Sequence, residues 1–229
     1  MTYFRAGSAA SALSPNDIRG TASDLIAGAD LIHFTGITVA ISETAADLTR
    51  SLMERPCTVS FDLNYRQALW KSGPNTAARV LGEHVRGSDV VSMGADEAEL
   101  VFGTSDPAEL RELFPEPRHL VIKNDAHTVT AFEGNSRVDV PALKLDVVEK
   151  IGAGDAFAGG YLTGLLLGRS AVARVRFGHL CAAGALTGHG DIASVLPLDV
   201  LTELCELDDV GWAELDYGAT AARHSEVSR

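Results

Sequence analysis

Two periods of apolar spacing divide this chain. Short apolar runs predict strands over Asp30–Ile37, closed by a glycine turn, and over Cys57–Asp62, Asp89–Met93 and His119–Lys123. Stretches of helical spacing separate them. In Ser42–Arg55, Ala45, Leu48, Leu52 and Met53 share one side, and Thr76–Val85, Ala95–Phe102 and Pro107–Phe114 are further helices. Ser14-Pro15-Asn16-Asp17 has the chemistry of a helix start. Thr128–Phe132 and Arg137–Val140 predict a hairpin through Glu133-Gly134-Asn135, followed by helices over Asp155–Leu167 and Ala171–Leu186. Apolar strands alternating with helices imply a mainly parallel sheet covered on both faces, with Ile32, Val59, Phe61, Val90, Val91, Val121 and Ile122 in its core. From about Glu206 the periodicity fades, which predicts a domain over 1–205 and a loosely ordered polar tail over 206–229.

Composition narrows the function. The 229 residues carry a net charge of -12, which disfavours binding to nucleic acid through many phosphate contacts. The same charge means that any site for an anionic ligand needs local positive character. Cys57, Cys181 and Cys205 are few and widely spaced, so neither a disulfide framework nor a zinc site is expected. The histidines have no metal spacing. No apolar stretch reaches the roughly 18 residues of a membrane span. The opening residues lack the pattern of a signal peptide, so the expected compartment is the cytoplasm.

The chemistry concentrates in Val147-Val148-Glu149-Lys150-Ile151-Gly152-Ala153-Gly154-Asp155-Ala156-Phe157. An extended apolar segment runs into a small-residue turn that opens a helix. The backbone N–H groups of Gly152, Ala153 and Gly154 would face outward at the positive helix end, where an anion is stabilised. Two readings fit these residues alone: a phosphate cradle with Asp155 beside it, or an ordinary turn with Asp155 as cap. Neither a dinucleotide fingerprint nor a Walker A loop fits, because Phe157 stands at the third glycine position and no Gly-Lys-Ser/Thr triplet occurs.

The same stretch closely resembles the signature Asp-Thr-x-Gly-Ala-Gly-Asp-x-Phe of ribokinase-like (PfkB) sugar kinases, matched at Gly152, Ala153, Gly154, Asp155 and Phe157. Glu149 replaces the first Asp, and Lys150 and Ile151 replace the commoner threonines. The resemblance implies a ribokinase-like three-layer α/β sandwich that uses ATP and Mg²⁺, with a monovalent cation as a further option. Asp155 would be the catalytic base, and Gly152, Ala153 and Gly154 the anion hole. Asp62-Leu63-Asn64-Tyr65-Arg66, with Leu69-Trp70, resembles the 2-keto-3-deoxygluconate kinase branch, as does Tyr3-Phe4-Arg5. By that resemblance Tyr3, Arg5, Asn64 and Arg66 contact a sugar acid, whose carboxylate a guanidinium can hold through both oxygens. Arg66 facing ATP phosphate remains the other option.

Glu97 matches the family's Asn-x-x-Glu and is implied to help order Mg²⁺ indirectly, although Gly94 replaces the Asn. Lys123 and Asp125 occupy the Lys-x-Gly-x-x-Gly nucleotide loop, with Asp125 and Thr128 in place of its glycines. Gly190, in Gly188-His189-Gly190-Asp191, resembles the late adenine-side loop. The resemblance covers roughly residues 1–200 and begins inside the family's domain, so the chain is expected to lack the N-terminal strands and β lid. Three functions stay in view: a sugar-acid kinase, a kinase for a neutral sugar such as fructose or ribose, and a catalytically inactive nucleotide-binding fragment. The partner is a small molecule in the kinase readings, and a homo-oligomer is compatible with all three.

Overall fold

The computed structural model describes residues 7–188 and 195–227. They fall into two compact units, Met1–Lys123 with Phe132–Ser136, and Asn124–Ala131 with Arg137–Arg229. None of the described helices is long and apolar enough to cross a membrane.

In the first unit, a short helix α1 (Thr21–Ala27) precedes strand β1 (Leu31–Thr35). Helices α2 (Gly36–Ile41) and α3 (Glu43–Met53) lead to β2 (Thr58–Asp62), and α4 (Pro74–Arg86) leads to β3 (Val90–Gly94). Helices α5 (Ala95–Phe102) and α6 (Pro107–Leu113) lead to β4 (His119–Asn124). The four strands are neighbours in that order and all parallel, with Ile32 beside Val59, Phe61 beside Val91 and Val91 beside Leu120. Parallel strands need crossover connections, which these helices supply. Both faces of β2 are buried, from Val59 through Ser60 and Phe61 to Asp62. Phe61, Leu63, Leu81, Met93, Leu110, Phe114, Leu120 and Ile122 anchor the core, and Ile32 and Trp70 pack partly buried against it.

Local chemistry sets the element ends. The Ser42 hydroxyl accepts from Ala45 N at 3.1 Å to cap α3, and Pro74 opens α4, where its missing N–H costs nothing. Ser14 and Asp17 do cap each other, with Ser14 N donating to Asp17 Oδ2 at 2.7 Å, but the result is one 3-10 turn over Pro15–Asp17. The expected glycine turn after β1 is instead the start of α2. The Leu63 carbonyl oxygen lies 2.0 Å from where a Cβ on Gly36 would stand, so only glycine lets the chain enter a helix there. The buried His84 is paired through both ring nitrogens, meeting the Val80 carbonyl at 2.8 Å and the Thr49 hydroxyl at 2.9 Å.

The second unit holds most of the hairpin β5 (Thr128–Glu133) and β6 (Ser136–Pro141), joined through Gly134-Asn135. Helices α7 (Ala153–Leu166) and α8 (Ala171–Leu186) pack on each other. Their approach is close because small residues line it. A Cβ on Gly160 would stand 2.5 Å from the Phe177 carbonyl oxygen, and one on Gly178 would stand 2.7 Å from the Phe157 ring.

Beyond α8 lie α9 (Leu198–Cys205), α10 (Asp209–Ala213) and α11 (Tyr217–Val227). The loss of periodicity after Glu206 predicted a loose tail; the structure has two short helices there, with Trp212 and Tyr217 buried. Arg176 of α8 explains the difference. Its buried guanidinium donates to the carbonyls of Cys205, at 3.2 Å, and of Leu207, and to Asp209 Oδ1 at 2.8 Å. It also lies 5.0 Å over the Trp212 ring, whose indole N–H donates to the Pro141 carbonyl at 3.0 Å. One buried cation thus gathers carbonyls that a polar tail would otherwise leave in water.

Two outcomes follow from this packing. Gly160→Val should lower stability to urea by roughly 1–3 kcal/mol or more, since backbone rather than a flexible side chain blocks the new atoms; an unchanged midpoint would contradict the close contact. The second concerns acid. His179 sits between Phe157 and Trp212, and burial depresses its pKa to about 4, against a smaller opposing effect of its hydrogen bond to the Val140 backbone. The unfolded chain therefore takes up this proton first, near the ordinary imidazole value of about 6.5. The His179 contribution is present above about pH 6.5 and is lost as pH falls toward 4, by about 3 kcal/mol in all. In His179→Phe the acid limb of the stability profile should flatten over that range; an unaltered limb would sink the assignment.

Candidate active site

Ligands of open α/β sheets gather at the carboxyl ends of the strands. In the first unit those ends carry four charges. Asp62 closes β2, and its buried Oδ2 accepts from Lys123 Nζ of β4 at 2.9 Å. Ser92 pairs in register with Asp62, and Gly94 with Lys123, so the ion pair passes over the end of β3. Asp62 Oδ1 accepts from Asn64 N at 3.2 Å, and Asn64 has a left-handed φ of 33°. Asparagine is one of the few non-glycine residues that tolerate that conformation. Arg66 Nη1 donates to Glu97 Oε1 and to the Tyr65 carbonyl, both at 2.8 Å. Glu97 Oε2 takes a long bond of 3.4 Å from Gly94 N. Burial raises the Glu97 pKa, the nearby Asp62 charge raises it further, and Lys123 and Arg66 work the other way. Two acids and two bases thus hold one another, and Glu97 fixes the direction of the Arg66 guanidinium.

The second unit carries the glycine-rich stretch. Gly152 is the cap of α7 with φ 80°, a conformation glycine adopts freely, and its carbonyl accepts from Ala156 N at 2.8 Å. The helix begins at Ala153, two residues ahead of its expected start, so the N–H groups of Ala153, Gly154 and Asp155 belong to its first turn. Asp155 is exposed and lines a cavity of ≈ 580 Å³. Gly159, Gly160 and Thr163 of α7, Phe177 and Cys181 of α8, and Leu198 and Leu201 of α9 also line it. The arrangement suits a ligand with an anionic end at the helix start and an apolar body along the helix. Asp125, in the turn after β4, has a left-handed φ of 42°, and its carboxylate lies 3.7 Å from Lys150 Nζ.

Of the residues singled out from sequence, the structure joins Arg66 to Glu97 and groups Gly152, Ala153, Gly154 and Asp155 at one helix start. Lys123, expected at nucleotide, directs its ammonium to Asp62. Tyr3, Arg5 and Gly190 lie outside the described residues. Sequence reasoning missed the partner role of Asp62, although a carboxylate between Phe61 and Leu63 at the end of an apolar run is a visible signal. It also missed that Lys150 and Asp125, both departures from the family pattern, pair with each other.

The model of the pfkB family carbohydrate kinases matches residues 3–198. This chain belongs to that family. It is 34% identical to the 2-dehydro-3-deoxygluconokinase of Thermoproteus tenax over 73% of its length and 51% of the relative's. It is 30% identical to the 2-dehydro-3-deoxygalactonokinase of Haloferax volcanii over 86% of its length and 63% of the relative's. Among solved structures, the 2-dehydro-3-deoxygluconokinase of Thermotoga maritima superposes with a TM-score of 0.75 at 25% identity, covering 89% of this chain and 67% of that one. This pfkB-family chain therefore spans between half and two-thirds of the length of these curated relatives.

The Asp62–Lys123 pair can be tested without any substrate. Lys123→Met should cost about 3 kcal/mol, the low end for stripping the partner from a buried charge, because Lys123 keeps some exposure. Adding Asp62→Asn to that variant should recover much of the loss in a urea double-mutant cycle. Strict additivity of the two changes would show that the groups do not interact.

Proposed function

We propose that the protein catalyses ATP-dependent phosphorylation of a sugar-acid hydroxyl, with 2-keto-3-deoxygluconate, converted to its 6-phosphate, as the preferred substrate. The observation that carries this is the start of α7: a left-handed Gly152, a first turn of outward amides, and an exposed Asp155 beside a cavity of ≈ 580 Å³. Asp155 is the base. Its carboxylate takes the proton of the acceptor hydroxyl as that oxygen bonds to the terminal phosphorus and the bond to ADP breaks. The amides of the first turn, with the Gly152-Ala153-Gly154 backbone, hold the phosphoryl oxygens as charge spreads over them.

ATP is the phosphoryl donor, with its base and sugar in the apolar part of the cavity. Mg²⁺ bound to ATP takes most of its ligands from phosphate and water. This fits the chain, because no three of His, Cys, Asp or Glu come together among the described residues. Glu97 holds the Arg66 guanidinium through a bond of 2.8 Å.

The sugar-acid assignment is supported by the names of the Thermoproteus tenax and Haloferax volcanii relatives and by the fixed guanidinium of Arg66. In the proposed complex Arg66 meets the substrate carboxylate with Asn64 beside it. The deciding experiment is a coupled ADP-release assay over 2-keto-3-deoxygluconate, fructose and ribose. Release that favours the sugar acid supports the proposal; preference for a neutral sugar overturns the substrate, and release with none of them overturns the activity.

Two variants follow. Asp155→Asn should keep ATP binding and lose turnover by roughly 10²–10⁴-fold, the usual worth of a positioned base; near-normal turnover would remove Asp155 from the mechanism. Arg66→Ala should raise KM for the sugar acid by roughly 10-fold or more, as expected for a lost charge-assisted bond, and change KM for ATP little. The opposite split would make Arg66 a phosphate contact.

A further inference from the structure

The Lys150–Asp125 pair adds a component to this site. Its geometry is loose: the groups are 3.7 Å apart, beyond a charge-assisted hydrogen bond, and their side chains are 72% and 76% exposed. Such a pair adds little to stability. Its location is the informative part. One residue separates Lys150 from the Gly152 cap, so the two positions are about 7 Å apart along an extended chain. Asp125 comes from the turn in which His127 N donates to the Asn124 carbonyl at 3.0 Å, and its left-handed backbone is one that glycine or asparagine adopts readily.

Charge balance gives the pair its meaning. The chain holds 31 acidic and 19 basic side chains, so its overall field repels a polyphosphate. A cation placed next to the helix start offsets that repulsion where the phosphates arrive. A carboxylate 3.7 Å from the same cation opposes the phosphates and competes with them for it.

Resting on the kinase reading, we propose that Lys150 is a phosphate-binding residue for the nucleotide, and that Asp125 competes with the nucleotide's phosphates for its ammonium. Nucleotide affinity in this chain is then set by an exchange of partners at Lys150. The exchange is electrostatic and exposed, so it weakens with ionic strength.

Calorimetric titration of the whole chain with ATP, inorganic tripolyphosphate and adenosine, at low and high salt, tests this. Lys150→Ala should weaken ATP and tripolyphosphate about tenfold at low salt and less at high salt, and leave adenosine unchanged. Lys150→Arg should retain most of the wild-type affinity. Asp125→Asn keeps the shape and the tolerance for a left-handed backbone while removing the charge, and should tighten both phosphate ligands severalfold. If the wild type binds ATP and Lys150→Ala binds it equally well, the assignment of Lys150 fails and the kinase reading stands. If Asp125→Asn weakens ATP, the competition is wrong. If the wild type binds neither ATP nor tripolyphosphate, the kinase reading falls and takes this inference with it.

Discussion

The contact of α7 with α8 at backbone distance is the constraint on which the second unit depends. With a carbonyl oxygen 2.5 Å from the place of a Cβ, Gly160 leaves no freedom in the height of one helix against the other. That height fixes the N-terminus of α7, and with it the amides, Asp155 and the mouth of the cavity. Phosphoryl transfer is largely a matter of holding groups in place, so a rigid two-helix base suits it better than a loop would. Glycines that reduce helix propensity, by about 1 kcal/mol each, therefore act here through the packing they permit.

Charge is handled differently in the two units. At the strand ends of the first, Asp62, Lys123, Arg66 and Glu97 neutralise one another within a few ångströms, and burial alone would protonate Glu97 more readily. Such a network gives orientation rather than stability, since desolvation consumes much of the attraction. Around the start of α7 in the second unit, Asp125, Lys150 and Asp155 are exposed, and helix geometry supplies the positive character through first-turn amides. An acidic protein can bind an acidic ligand in this way, by local arrangement against its overall field.

Much of this was legible in the sequence. Strand runs such as Cys57–Asp62 and helices such as Ala171–Leu186 announce themselves, because buried parallel strands and long helices have strong periods. The glycine-rich stretch stood out because its residue types are needed together. What stayed hidden depends on distant partners. Gly36 reads as a turn until the Leu63 carbonyl is seen beside it. The polar stretch after Glu206 reads as a tail until Arg176, some thirty residues earlier, donates to its Leu207 carbonyl and Asp209 carboxylate. The pairing of Asp125 with Lys150 joins two substitutions that looked unrelated along the chain.

The burial of Trp212 against Arg176 has an optical consequence. The chain holds two tryptophans, and they fall one to each unit: Trp70 in the first, partly buried against the sheet core, and Trp212 in the second. The two indoles sit in unlike surroundings, one against aliphatic and aromatic side chains, the other under a guanidinium with its N–H held by a carbonyl. Their emission therefore carries two separate records of the same molecule. Each compact unit has its own tryptophan, so replacing either one by phenylalanine leaves a chain whose indole emission reports on a single unit.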